Sequence, residues 1–314
     1  CVDWGTMQRL GLREIVEIYI SGLKDADRAQ ATLNVLLKDR PNDPLLLLQE
    51  VNICRLNGDA NRLAELSRIS GISEAASLDI QRAAAEVLWD KGERELAVQA
   101  YDVILESEPD DRDALHAKER FYSESGNHEA LCRFYESRAD RLLEQKRKKD
   151  AIDFLFKAAD VADDALSDKE RAIAILKRIM SEDAENVEAQ KKIISIYKLL
   201  DDQVGVASAL EKLLSLTNRP SARHEILSEL GDIYLNRLEN YEKAEICWKK
   251  VQLLDPRNPS VSEELSRVYA KQGDFEALDK SLTQQMSIAS PEDVLKLSET
   301  KARYLQQHSP ESMH

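Results

Sequence analysis

Apolar and polar positions along this chain follow the period of amphipathic helices, and one pattern occurs four times. Each copy has a small residue, a large apolar residue four positions later and a second apolar residue three positions after that. Spacings of four and three place all three on one stripe of a helix, so each copy predicts a helix with one buried face. The copies are Ala29, Leu33 and Leu36; Ala97, Tyr101 and Ile104; Ala172, Leu176 and Ile179; Ala244, Trp248 and Val251.

Another helical segment lies between successive copies, so the chain repeats with a period of 68 to 75 residues containing two helix–turn–helix pairs. Three of the four copies end at a proline, which cannot continue a helix. Turns are predicted at Gly58-Asp59, Gly126-Asn127, Asp201-Asp202 and Gly273-Asp274. Because one helix pair cannot bury its apolar stripe alone, the repetition predicts stacked pairs that share a continuous core.

The helix pair with the most complete pattern contains Leu230-Gly231, Tyr234, Ala244, Trp248 and Pro256. This pattern resembles the tetratricopeptide repeat, and the resemblance covers nearly the whole chain. It implies an all-α fold, a right-handed α-solenoid of stacked antiparallel helix pairs. The chain departs from the family in three ways: the tryptophan near the start of the first helix is missing, two pairs carry an extra residue in the turn, and a longer loop is expected over residues 143–150.

The predicted organisation is one array of about eight helix pairs over residues 10–291. A lead-in of residues 1–9 precedes the array, and residues 292–314 form a half repeat or C-terminal helix. The double repeats cover about 10–77, 78–151, 152–223 and 224–291.

Charge and cysteine content narrow the function classes. With 44 basic and 58 acidic residues the formal net charge is −14, which disfavours binding to nucleic acid or to an anionic membrane surface. Cys54, Cys132 and Cys247 fall on predicted helices among apolar neighbours, as reduced structural thiols of a cytoplasmic protein do.

Cys1 has two interpretations: the lipidated N-terminus of a membrane-anchored, periplasmic lipoprotein, or the first residue of an excised segment of a longer scaffold.

The sequence offers little for catalysis. It has no glycine-rich phosphate loop, no GxSxG nucleophile motif and no pair of histidines with metal-binding spacing. The prediction is therefore a protein that is not an enzyme, with no cofactor and no metal site. The basic run at residues 146–149 is interpreted as a solvated loop joining two helices.

The tetratricopeptide resemblance implies that the first helix of each pair lines a concave groove for a peptide or a partner segment. Trp89 and Phe156 are either aromatic anchors for that partner or partly buried packing residues. The groove is mixed in charge with an acidic majority, so a partner with interspersed basic residues would match it. The candidate partner-binding residues are Arg82, Trp89, His116, Arg120, Phe156, Lys191, Lys198, Asn236, Arg267 and Lys271.

These features predict a non-catalytic protein–protein interaction scaffold. Two alternatives stay open: a structural spacer or self-assembling solenoid that associates through its open ends, and an assembly lipoprotein anchored through Cys1.

Overall fold

The computed structural model describes residues 4–69, 74–256, 258–288 and 290–307. Within these residues the chain is helical, with short turns and no strand. Short π-helical turns at Ile18–Leu23 and Val161–Ala165 each extend the α-helix that precedes them. The helices are α1 Trp4–Glu17, α2 Ala26–Asp39, α3 Pro44–Asn57, α4 Ala60–Leu66, α5 Glu74–Asp90, α6 Arg94–Ser107, α7 Arg112–Glu124, α8 His128–Glu144, α9 Lys148–Asp160, α10 Lys169–Glu182, α11 Val187–Leu199, α12 Gln203–Leu216, α13 Pro220–Asn236, α14 Tyr241–Leu254, α15 Pro259–Gln272, α16 Phe275–Ile288 and α17 Pro291–Gln307.

The helices form stacked antiparallel pairs, in which odd-numbered helices are the first members and even-numbered helices the second members. The chain divides into two compact units, an N-terminal unit of Cys1–Phe134 and a C-terminal unit of Tyr135–His314. In the N-terminal unit α1 packs on α2 and α5 on α6; in the C-terminal unit α13 packs on α14 and α15 on α16. Within each unit, second helices also pack on the first helix of the next pair, as α2 does on α3 and α12 on α13.

The residues of the repeated pattern form the core between the helices. All four alanines (Ala29, Ala97, Ala172, Ala244) are fully buried, and the large and second apolar residues of each copy are at most 8% exposed. A small residue at this position lets the two helices of a pair approach closely. The sequence prediction of a buried stripe in each copy is confirmed.

Polar residues at the helix starts fix where each helix begins. The side-chain oxygen of an aspartate or asparagine accepts a backbone N–H of the first turn, which satisfies a donor that the helix itself leaves unpaired. This cap precedes helices of both units, and the capping residues include Asp25, Asp43, Asp59, Asp111, Asp168, Asn186, Asp202, Asn240 and Asn258.

The extra turn residue of the two pairs singled out in the sequence occurs as expected, and the first pair has it too. In each, one backbone N–H bonds to the carbonyl six residues earlier: Asp25 to Tyr19, Asp168 to Ala162 and Asn240 to Tyr234. Shorter turns close over five residues, as Asn127 does to Tyr122. One non-glycine residue at positive φ accompanies each longer turn, at Lys24, Ser167 and Glu239.

Two sequence expectations about connections and ends need correction. The longer loop expected over residues 143–150 is wrong, because α8 continues to Glu144 and α9 already begins at Lys148. The basic run at residues 146–149 therefore straddles a short turn and the first turn of α9. Helix α1 begins at Trp4, inside the expected lead-in. Cys1 lies outside the described residues.

Candidate functional site

The candidate partner-binding residues lie on the first helices of both units. In each unit, we call the side of these helices that carries them the first-helix face of that unit. The N-terminal unit contributes two residues from α5 and two from α7, and the C-terminal unit contributes six from α9, α11, α13 and α15. In chain order they are Arg82, Trp89, His116, Arg120, Phe156, Lys191, Lys198, Asn236, Arg267 and Lys271.

The structure brings Trp89 and Arg120 together with a third residue, Arg94. The indole of Trp89 is half-buried and meets Tyr101 edge-on, with 6.4 Å between ring centroids. The Arg94 guanidinium carbon lies 4.0 Å from the Trp89 ring centroid and that of Arg120 lies 5.6 Å away. Both distances suit cation–π attraction. We call Trp89, Arg94 and Arg120 the tryptophan cluster.

Sequence reasoning missed Arg94 because it is the first residue of a second helix, α6. The turn before it contains Gly92 at a φ of 84°, a left-handed conformation that glycine adopts without steric cost. This turn places the start of α6 beside the end of α5. A cation directly after such a turn, five residues beyond an aromatic side chain, was the available signal.

Arg82 has a structural role within the N-terminal unit. Its guanidinium forms ion pairs with Glu108 and, at 2.9 Å, with Asp111. Asp111 also caps α7 by accepting the backbone N–H of Ala114. Arg82 therefore ties α5 to the connection between α6 and α7, whereas His116 on α7 is exposed.

Successive first helices of the C-terminal unit are joined by polar contacts on the first-helix face. Lys192 of α11 pairs with Asp160 of α9, and Lys198 of α11 pairs with Glu229 of α13. The same Lys192 ammonium lies 5.9 Å from the ring centroid of half-buried Phe156.

The last contact of this series joins α13 to α15. Arg267 donates to the side-chain oxygen of Asn236 at 3.2 Å and pairs with Glu264 at 2.8 Å. Lys198, Asn236 and Arg267 are thus already engaged with neighbouring helices, while Lys191 and Lys271 are exposed.

Exposed carboxylates dominate what remains of the first-helix face. These acidic residues occur on α5, α7, α9, α11, α13 and α15, and none takes part in an ion pair among the residues that the structure describes. They are Asp79, Glu86, Asp113, Asp153, Glu188, Glu225, Asp232 and Glu263.

A polar network that the sequence did not predict joins three helices of the C-terminal unit. The Tyr234 hydroxyl donates to Glu211 at 2.7 Å, and Lys243 donates to Glu211 at 3.0 Å and to the Tyr234 oxygen at 3.2 Å. The hydrogen bond from Tyr234, followed by that from Lys243, lowers the pKa of Glu211. Burial and the same bond to Glu211 raise the pKa of Tyr234. This network fixes α12, α13 and α14 relative to one another.

Neither a metal site nor a membrane-spanning helix is found among the described residues. No group of three or more histidine, cysteine, aspartate or glutamate side chains there has an arrangement that could hold a metal ion. No described helix is long and apolar enough to cross a bilayer.

The helix pairs define the class: an all-α repeat protein of stacked, tetratricopeptide-like pairs. The chain's own helices and its buried alanine positions support this class. So does the close approach of Gly231 on α13 to Trp248 on α14, where an added Cβ would lie 2.6 Å from the indole. A protein-interaction role is in keeping with such a scaffold.

Comparison with known proteins gives partial sequence matches and distant structural ones. No family model matches the chain. ER membrane protein complex subunit 2 of Xenopus tropicalis is 31% identical over 126 residues, which are 40% of this chain and 39% of that protein. Subunit 2-A of the same complex from Xenopus laevis is 30% identical over 126 residues, which are again 40% of this chain and 39% of that protein. The matched stretch thus spans well under half of these relatives.

Among solved structures, a tetratricopeptide repeat protein from Parabacteroides merdae is 18% identical, with 82% of this chain and 97% of that chain covered and a TM-score of 0.31. The tetratricopeptide domain of P58(IPK) is 12% identical, with 96% and 99% covered and a TM-score of 0.31.

Proposed function

We propose that this protein is a non-catalytic interaction scaffold that holds a segment of a partner protein against its first-helix face. The tetratricopeptide resemblance implies that this face is the concave one. The observation that carries the proposal is the tryptophan cluster. The Trp89 indole has the guanidinium carbons of Arg94 and Arg120 at 4.0 and 5.6 Å from its ring centroid, and tryptophan and arginine are among the residue types that most often dominate binding energy at interfaces.

The charges of the same face favour a partner with interspersed basic residues. Arg82, Lys192, Lys198 and Arg267 are neutralised by carboxylates of their own chain. The exposed acidic residues are left to attract and orient a cationic segment.

We also propose that the protein works as a subunit of a multi-protein complex associated with a membrane. The similarity to ER membrane protein complex subunit 2 over 126 residues favours this assignment. Co-fractionation of the tagged protein from detergent-solubilised membranes of its source tests it. A stable high-mass complex supports the assignment, and recovery of the protein alone in the soluble fraction contradicts it.

A capture experiment tests the scaffold proposal. The intact chain and a Trp89→Ala/Arg120→Ala variant are immobilised and exposed to a lysate of the source organism. Circular dichroism verifies that both remain helical, since Trp89 also packs on Tyr101. A Gln99→Ala/Glu106→Ala variant, changed at exposed positions on α6, is the matched control.

A protein retained by the intact chain and the control but lost by the tryptophan-cluster variant supports the proposal. Equal retention by all three places the contact elsewhere on the molecule. Retention of nothing, together with concentration-dependent oligomers of the intact chain, favours the spacer or self-assembling solenoid instead.

A further inference from the structure

Two exposed positions of α14 carry large apolar side chains, where the second helices that can be compared have small or polar ones. Ile246 is 52% exposed and Leu253 is 82% exposed. They are two and nine residues beyond the buried Ala244, seven residues apart and therefore on the same side of the helix. At a rise of 1.5 Å per residue they are separated by about 10 Å along its axis.

The other second helices show that the repeat does not require large apolar residues at these two positions. Counting from the residue equivalent to Ala244, six of them can be compared at the same two positions, and all twelve residues are exposed. The pairs are Ala31 and Lys38 on α2, Gln99 and Glu106 on α6, Arg133 and Asp140 on α8, Ala174 and Ser181 on α10, Ser208 and Ser215 on α12, and Lys280 and Ser287 on α16.

Lysines flank the two apolar residues on α14. Lys249 and Lys250 are both exposed and lie between Ile246 and Leu253 in the sequence. Lys249 pairs with Glu245 at 2.6 Å, whereas Lys250 is in no ion pair of the described residues. We call Ile246, Lys249, Lys250 and Leu253 the α14 stripe.

We propose that the α14 stripe is a second docking surface, which binds an amphipathic helix of a partner protein whose apolar residues are flanked by carboxylates. A stripe two turns long on one helix matches the i, i+7 spacing of an apolar face on another. Carboxylates beside that face would pair with Lys250, whereas Lys249 is already paired with Glu245. This surface is on second helices and is independent of the first-helix face.

The charges of the stripe and its surroundings argue against two other occupants. A second copy related by a two-fold axis that brings Ile246 against Leu253 would also bring Lys249 and Lys250 against one another. An anionic lipid surface is bound by clusters of about four or more lysines or arginines, whereas the stripe carries two lysines.

The test measures binding of two synthetic helical probes to the full chain by fluorescence anisotropy. The acidic probe is a labelled 18-residue alanine-based helix with leucines seven residues apart and glutamates on both flanks. The basic probe replaces every glutamate with lysine. Binding is compared for the intact chain, Ile246→Ser/Leu253→Ser, Lys250→Glu and, as a matched control on α10, Ala174→Ser.

The acidic probe is expected to bind the intact chain and the control equally, and at least tenfold more tightly than the basic probe. Ile246→Ser/Leu253→Ser is expected to weaken acidic-probe binding at least tenfold, and Lys250→Glu at least threefold. The side chains concerned are exposed, so none of the variants should change the melting temperature appreciably.

Two further arms distinguish the rival occupants. Sedimentation with vesicles of 70% phosphatidylcholine and 30% phosphatidylserine tests a lipid surface, and light scattering over a dilution series tests a second copy. Vesicle binding or dimerisation that is lost in Ile246→Ser/Leu253→Ser would overturn the proposal in favour of that occupant. Equal binding of both probes, or no binding of the acidic probe, would also overturn the proposal. Neither result would bear on the proposal that a partner binds the first-helix face.

Discussion

Gly231 of α13 packs tightly against Trp248 of α14, and this contact yields a sharp stability prediction. A Cβ atom added at Gly231 would lie 2.6 Å from two atoms of the Trp248 indole. Contacts between non-bonded carbon atoms are optimal at about 3.5–4.0 Å. Gly231→Ala therefore requires the two helices or the ring to separate by about 1 Å.

The expected cost follows from two opposing effects. Overpacking of a filled core costs about 1–3 kcal/mol, and the upper part of that range applies because Trp248 is rigid and only 8% exposed. Alanine is the better helix former by about 1 kcal/mol. We expect Gly231→Ala to lower the free energy of unfolding by about 1–2 kcal/mol.

Gly11 provides the matched control, because it is also a helix glycine but a Cβ there meets nothing within 4 Å. Gly11→Ala should raise the free energy of unfolding by up to about 1 kcal/mol. Urea denaturation followed by circular dichroism measures both variants. In a Trp248→Leu background the indole ring is gone, so Gly231→Ala should cost less than it does in the parent. We expect a difference of about 1 kcal/mol or more, which is a usual coupling free energy for residues in contact. A Gly231→Ala variant as stable as the parent, with Gly11→Ala stabilised as expected, would refute the reasoning.

Three further predictions concern other contacts. Gly205→Ala should cost about 1–2 kcal/mol, because the added Cβ would lie 2.5 Å from Oδ2 of Asp202, whose side chain caps α12, and 2.6 Å from the half-exposed Tyr197 ring. The ring can rotate away but the cap is disturbed, and urea denaturation measures the cost. The pKa of Glu211 is lowered in the folded state, so its contribution to stability is present above its unfolded pKa and lost as pH falls through the folded value. Glu211→Gln should therefore flatten the pH dependence of unfolding below about pH 5, as denaturation at several pH values will show. Burial raises the pKa of the Cys54 thiol to about 12, so a thiol reagent should label Cys54 only after denaturation, as peptide mass spectrometry can measure; labelling of the native chain at the denatured rate would contradict its burial.

The buried stripe could be predicted from the sequence because packing imposes the same residue sizes at the same spacing in each copy. Ala97, Tyr101 and Ile104 show this: one small and two large side chains are needed wherever two helices of a pair meet. The π-helical extension at Ile18–Leu23 left no comparable signal, because a single extra residue changes hydrogen bonding without changing the apolar pattern.

The candidate site was predictable only in part. The helix spacing placed Trp89 and Arg120 on first helices, but the position of Arg94 depends on how the turn at Gly92 returns the chain. The ion pairs between first helices could have been predicted from oppositely charged residues about one helix pair apart in the sequence. Lys192 lies 32 residues from Asp160, and Lys198 lies 31 residues from Glu229, about one helix pair apart in each case.

The α14 stripe also had a sequence signal. Ile246 and Leu253 occupy positions at which the other three copies of the pattern have Ala31 and Lys38, Gln99 and Glu106, and Ala174 and Ser181. The packing of the repeat does not require large apolar residues at these exposed positions, which is why they drew the proposal of a docking surface.

The most direct measurement of the central claim is the dissociation constant of the captured partner for two charge-reversed variants. Glu86→Lys/Asp113→Lys changes exposed carboxylates of the first-helix face, and Glu95→Lys/Glu106→Lys makes the same charge change on the exposed side of α6. Titration calorimetry is carried out at two salt concentrations. We predict that the first variant binds at least tenfold more weakly than the intact chain, with a smaller loss at high salt, and that the second binds within about twofold. Equal weakening by both variants, or none by either, would contradict a partner held on the first-helix face.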